Sequence, residues 1–277
     1  NFYDPYAMIS IFSGMILLYI ASFGLDQDIT QRLLTCKGDE QGAKAIILAT
    51  LIGIPLIWLF ISIGELLYIY YDRPDLMGGG QAGLAAQEFS GEKITIFMYY
   101  ILNELPSGLK GLVTVGVIAA AVSTINSGLN SMSSVIVQDF YRPWVMRNSN
   151  KSEKHFVFAG QISMGLVGIG LFAMSVLCFY WQRYSGLPLL DFVLSVMVFA
   201  YSGLLGVYFT AIFTNRGSTV SVIAALVIGF LVTLAQQSYI IEIIGLPDFL
   251  KGIAFTWQLC IGTTIAFMIC LMGNDKK

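Results

Sequence analysis

The residues best suited to hold a ligand lie in a single apolar stretch. Between Gly111 and Val137 the first half is small and apolar. The second half reads Ala120-Ala121-Val122-Ser123-Thr124-Ile125-Asn126-Ser127-Gly128-Leu129-Asn130-Ser131. Ser123, Ser127, Asn130, Ser131 and Ser134 recur at the spacing of one helical face. Polar groups on a membrane helix turn away from lipid, toward a bundle interior or a wet cavity. Such a face admits two readings. One is helix packing, in which small residues let backbones approach and hydroxyls bond across. The other is a cation site, because a hard alkali ion takes oxygen ligands. Hydroxyls and freed carbonyls give weak, reversible binding with no permanent carboxylate.

A second polar run, Asp26-Gln27-Asp28-Ile29-Thr30-Gln31-Arg32, ends an apolar stretch. It reads either as a solvated helix end whose acids are neutralised by Arg32, or as the lining of an inner cavity that binds or gates a solute. Glu65 and Asp191 sit near the outer ends of their stretches and read as interface residues rather than proton carriers. His155 is the one histidine and reads as a solvated loop residue. Pro55, inside a stretch, predicts a kink. Cys36, Cys178, Cys260 and Cys270 suggest neither a disulfide framework nor a metal cluster.

The elements that position these residues are membrane helices. Of 277 residues, 56% are hydrophobic and 12% charged, with a mean hydropathy of +0.75. A soluble domain carries about 25% charged residues. Seven apolar blocks are each long enough for a span of about 20 residues: 6–25, 43–71, 111–137, 156–181, 187–213, 218–240 and 252–272. They lack the alternation of barrel strands, so helices are expected. A net charge of −2 excludes a strongly basic nucleic-acid binder.

Ten Lys and Arg fall on one side of the seven spans and five on the other. The ten-charge side is expected to be cytoplasmic, which puts the N-terminus outside and the C-terminus inside. The longest loop, 72–110, is then external. It opens on turn residues (Arg73-Pro74-Asp75, Gly78-Gly79-Gly80) and continues as a short helix near 93–105, with Pro106-Ser107-Gly108 expected to end it. It is a lid over a pathway or a plain loop. The last two blocks carry few ionisable groups and read as lipid-facing scaffold. The chain opens on Asn1-Phe2-Tyr3-Asp4-Pro5, already at a membrane edge, and reads as a piece of a longer protein.

Two stretches resemble the solute:sodium symporter family. One is Asp26-Gln27 with Gln31-Arg32. The other is Leu105-Pro106 through Tyr141, including Ala120-x-x-Ser123-Thr124, Ser127-x-Leu129-Asn130-Ser131 and Asp139-Phe140-Tyr141. The resemblance implies an all-α membrane fold of five-plus-five inverted repeats. Residues 1–214 would be the second repeat, core helices six to ten, and 215–277 two peripheral helices with a short cytoplasmic tail. The outside-to-inside direction it implies for the first span agrees with the charge count. It implies sodium ligands at the Ala120 carbonyl and the Ser123 and Thr124 hydroxyls, and a possible second sodium at Asn126 and Ser127, where Asn126 departs from the family's serine. Asp26, Gln27, Asp28 and Gln31 would contact or gate the solute. The implied function is sodium-coupled symport of a small polar solute across the plasma membrane, a sugar or polyol favoured, an organic acid or amino acid open. No enzyme chemistry is implied, and an N-terminal repeat is expected as partner. The alternative is a seven-helix receptor, which shares the topology but needs no Ser/Asn-lined helix half.

Overall fold

The structure is a computed structural model, and it describes residues 2–72, 88–89, 92–93, 95–147, 151–185, 187–245, 247 and 251–274. All seven apolar blocks are helical. In chain order the helices are α1 (Met8–Gly24), α2 (Gln27–Leu33), α3 (Asp39–Asp72), α4 (Ile96–Asn103), α5 (Ser107–Met146), α6 (Glu153–Ser185), α7 (Leu189–Phe213), α8 (Thr219–Ala235), α9 (Ser238–Ile244) and α10 (Phe255–Leu271). α1 contains a widened π turn at Ile11–Met15, and α5 contains one at Ile136–Tyr141. A two-residue antiparallel ladder joins Glu88–Phe89 to Glu92–Lys93.

By length and composition α3, α5, α6 and α7 can each cross a membrane. α1 and α2 pass the same test only together, as a broken span or a re-entrant loop bent by 58° at the break between them. α8 and α10 have 17 residues each. At 1.5 Å per residue that is about 26 Å, the short end of a spanning helix. α3 runs through Pro55 as one helix. Pro106 does not end α4; it caps α5, where its fixed φ suits a helix start. α4 itself stops at Asn103 and is capped by Thr95, whose side chain accepts from the Met98 N–H. The turn residues 73–80 expected before it lie outside the described residues.

The chain divides into two compact units, Asn1–Thr30 with Gly165–Lys277, and Gln31–Met164. In the first unit α7 is the central helix, packed against α1, α8 and α10. Its core joins Leu18 and Ala21 of α1, Val198 and Leu205 of α7, and Phe255 and Leu259 of α10.

The last two helices, expected as lipid-facing scaffold, each bury one face in the first unit, while Val220, Ile223 and Val227 of α8 and Met268 of α10 stay exposed. Small residues every four positions build flat faces on them: Ser221, Ala225, Gly229 and Thr233 on α8, and Gly262, Ala266 and Cys270 on α10, all buried. Membrane helices pack through such faces because lipid supplies no hydrophobic drive between them. A Cβ built on Gly229 would lie 2.6 Å from the Gly203 Cα, so only glycine allows this α7–α8 approach. Ser202, fully buried, donates to the Gly229 carbonyl at 3.0 Å and accepts from Thr233 Oγ1 at 3.0 Å.

In the second unit, Val137 and Val145 of α5 pack on Phe156 of α6. His155 belongs to this corner rather than to a solvated loop. It lies in the first turn of α6, half-buried, with Nε2 3.0 Å from the Tyr141 hydroxyl. Arg142 beside it pairs with Glu153 at 2.5 Å and stacks on the Phe156 ring. These contacts pack the start of α6 against the end of α5.

Candidate cation and solute site

The first candidate place is the break after α1. The helix ends because Leu25 is the last residue whose N–H finds a carbonyl in the preceding turn, that of Ala21 at 2.9 Å. Asp26 then starts a new helix. Its Oδ1 accepts from the Asp28 N–H at 2.9 Å and the Ile29 N–H at 3.1 Å, which is N-capping geometry. The Thr30 hydroxyl donates to the Asp26 carbonyl at 2.8 Å. A helix end leaves its last four carbonyls without intrahelical partners, so the break concentrates oxygen acceptors where the chain bends.

Of the four predicted residues here, Asp26 and Asp28 are half-buried, and Gln27 and Gln31 are exposed. The Asp26 carboxylate is engaged by its own helix. Two residues that sequence reasoning missed approach the same break. Tyr201 of α7 is half-buried and packs, as Leu25 does, on the core that joins α1 to α7. The Tyr208 hydroxyl lies 3.4 Å from where a Cβ on Gly24 would stand. Their spacing of seven puts both tyrosines on one face of a mostly apolar helix. That was the available signal.

The capping role makes a separable prediction. Asp26→Ala should lower the melting temperature of the full-length protein, since losing a cap costs about 1 kcal/mol, whereas Asp26→Asn keeps a capping oxygen and should melt almost unchanged. If uptake falls in both but melting falls only in the alanine variant, Asp26 caps and also meets solute. An alanine variant that melts like the parent removes the capping role.

The second place is the middle of α5. The Ala120 carbonyl and the Thr124 Oγ1 are 3.0 Å apart, the hydroxyl donating back to the carbonyl one turn earlier. Ser123 adjoins them, and all three residues are exposed. The structure therefore brings together the carbonyl and hydroxyl oxygens that the sequence grouped. Hard cations of this size take oxygens at about 2.3–2.6 Å. Two oxygens 3.0 Å apart, each about 2.4 Å from an ion, subtend about 77°, near the right angle of a six-oxygen shell. The Thr124 proton must rotate off the carbonyl to expose both lone pairs.

Further along α5 the polar face divides. Ser131 is buried, Ser127 and Ser134 are half-buried, and Asn126 and Asn130 are exposed. Arg32 Nη2 donates to the Ser127 hydroxyl at 2.9 Å. A cation bound at Ser127 would share that oxygen with a guanidinium, and at 4 Å two unit positive charges repel by about 4 kcal/mol at an effective dielectric of 20. Asp191, at the start of α7, accepts from the Tyr6 hydroxyl at 2.7 Å. Glu65 is exposed on α3.

Comparison with known proteins adds what geometry alone does not. The profile of the sodium:solute symporter family matches residues 1–229. The chain is 27% identical over 228 residues to the sodium/sialic acid symporter SiaT of Proteus mirabilis, covering 81% of this chain and 42% of that protein. It is 25% identical to a sodium/glucose cotransporter of Vibrio parahaemolyticus (78% of this chain, 39% of that protein). It is 24% identical to the human sodium-coupled monocarboxylate transporter 1 (81% and 35%). The chain thus spans less than half the length of these curated relatives.

Proposed function

This chain belongs to the sodium:solute symporter family, and from that membership we propose that it is the part of a sodium-coupled symporter that carries the α5 half of the sodium site. What supports this reading is the family match over residues 1–229 together with the place of Ala120, Ser123 and Thr124 on one turn of an apolar helix, where helical spacing holds the Thr124 hydroxyl 3.0 Å from the Ala120 carbonyl. Two or three oxygens make a partial shell for a hard cation, which takes six or more. The remaining ligands come from other segments of the whole protein or from water.

Sodium is cargo in this scheme, and so is the solute. One sodium is favoured here over two, because the Ser127 hydroxyl is engaged by Arg32. Sodium entry down the membrane potential supplies about 2.3 kcal/mol per 100 mV. The residues after the break, Asp26, Gln27, Asp28 and Gln31, meet or gate the solute, with Tyr201 and Tyr208 beside them. We read α1 with α2, α3, α5, α6 and α7 as the second inverted repeat, and α8 and α10 as helices appended to it. We read the N-terminus of this segment as facing outside and its C-terminus the cytoplasm, a reading that the ten-to-five split of basic residues supports. Family membership leaves nothing that favours a receptor, and symport needs no covalent step.

The relatives transport unlike solutes by name: sialic acid, glucose and monocarboxylates. The Asp26-Gln27 start leans to a polyhydroxylated solute, since a carboxylate and an amide accept and donate to hydroxyls. The deciding experiment is uptake by the full-length protein in proteoliposomes, with a sodium gradient, against sugars, polyols, sialic acid, monocarboxylates and amino acids. One class should accumulate with sodium and not when choline replaces it. Accumulation indifferent to that replacement would end the sodium reading.

A further inference from the structure

The family match ends at residue 229, yet some of the most specific contacts on the broken span come from α10, beyond that limit. Ser10 of α1 is fully buried. Its hydroxyl donates to the Asp4 carbonyl at 2.9 Å and accepts from the Trp257 indole Nε1 at 3.0 Å. The Trp257 ring lies against Phe2, with centroids 4.8 Å apart. The Ala254 N–H donates to the Phe2 carbonyl at 3.0 Å. One helical turn after Ser10, in the widened π turn, a Cβ on Gly14 would sit 2.5 Å from the Thr256 Cβ and 2.6 Å from its carbonyl carbon. Thr256 is itself fully buried. A hydrogen bond, a ring contact, a backbone bond and a glycine-only approach thus converge on one stretch of α1. Widened turns concentrate at functional sites, and here the turn is the place where α1 is gripped.

We propose that Trp257 is a positioning residue for transport: with Thr256 it clamps α1 at the Ser10–Gly14 turn, so that the C-terminal helix sets where the polar break at Leu25–Asp26 stands. The proposal rests on the symport reading for its function and on the geometry of the first compact unit for its mechanism. From Gly14 to Leu25 the helix is about 16 Å long at 1.5 Å per residue. A rotation of about 5° at the clamp moves the break by about 1.4 Å over that lever. That exceeds the tolerance of about 0.5 Å within which binding constellations work. No contact between Trp257 and solute or sodium is needed, so the effect should reach the rate of cycling rather than ion affinity.

The test uses the full-length protein in proteoliposomes. Trp257→Phe keeps an aromatic ring against Phe2 and removes only the N–H, and Ser10→Ala removes its acceptor. Each is expected to lower maximal sodium-driven uptake about fivefold with the half-saturating sodium concentration unchanged, and the double variant should be no worse than Ser10→Ala alone, because Ser10→Ala already deletes the Trp257 bond together with the Asp4 bond. Gly14→Ala, which places a methyl inside Thr256, should cost more than about tenfold. A second readout needs no solute. On a background with the native cysteines replaced, the rate at which a membrane-permeant maleimide labels Leu25→Cys should change severalfold when Trp257→Phe is added.

Uptake and labelling both unchanged in Trp257→Phe and Gly14→Ala would overturn the clamp. So would losses that merely track a lowered melting temperature. If the parent protein itself shows no sodium-driven uptake while the labelling rate still responds to Trp257→Phe, the symport reading has failed and the clamp stands.

Discussion

Thr124→Val in the full-length protein is expected to raise the sodium concentration for half-maximal uptake more than tenfold, while Thr124→Ser stays near the parent. Valine keeps the shape of threonine and deletes the oxygen, so packing on α5 is little disturbed. The lost oxygen is one of two held 3.0 Å apart. A tenfold loss of affinity corresponds to 1.4 kcal/mol, a modest demand for removing a ligand from a hard cation with few neutral donors. Ser123→Ala should act in the same direction. The same ordering should appear in a measurement without transport: sodium should raise the melting temperature of the parent and of Thr124→Ser, and do so much less for Thr124→Val. Ser127→Ala provides the contrast. Its hydroxyl serves Arg32, so its sodium dependence should shift less than that of Thr124→Val. A valine variant with the parent's sodium dependence would remove Thr124 from the ion's shell and leave the packing reading of the polar face.

The helices of the seven apolar blocks were legible because each block reaches about the length a bilayer demands, and nothing but helix satisfies the backbone there, although α8 and α10 themselves run to only 17 residues. The grouping of Ala120 and Thr124 was legible for a similar reason. A spacing of four on a helix fixes the distance between a hydroxyl and a carbonyl whatever surrounds it. Three other features depended on partners that spacing does not reveal. Asp26 read either as a solvated helix end or as a cavity residue, and that its carboxylate caps α2 was not legible, because whether a helix restarts after a break depends on backbone geometry. His155 looked like a loop residue, since the helix that holds it begins at Glu153, within a basic polar run. The role of α10 was hidden by averaging. Hydropathy weighs Gly262, Ala266 and Thr263 as bland, whereas their size and their spacing decide what packs on them.

That last point carries the second large prediction. Gly206→Val should abolish accumulation of folded full-length protein, and Gly206→Ala should lower its melting temperature sharply. The reason lies at the crossing of α7 and α10. A Cβ on Gly206 would stand 2.6 Å from the Ala266 Cβ, 2.7 Å from the Phe267 nitrogen and 2.8 Å from the Ala266 carbonyl carbon. Two of those three atoms are backbone, so no rotamer change relieves the overlap, and the helices must separate. Separation reaches Leu205 and Leu259, both without exposed surface, and the Ser202–Thr233 hydrogen bond on the neighbouring face of α7. Overpacking of a core costs about 1–3 kcal/mol per group where side chains can yield, and a contact against backbone belongs at or above the top of that range. The comparison is Gly170→Ala on α6, where nothing lies within 4 Å of the new methyl among the described residues. That change should be tolerated, since alanine favours helix over glycine by about 1 kcal/mol. Size-exclusion profiles and thermal melts of the purified variants decide the matter. A Gly206→Val protein that elutes and melts like the parent would mean that α7 and α10 do not meet at this glycine, and the close packing of the C-terminal helix would have to be given up.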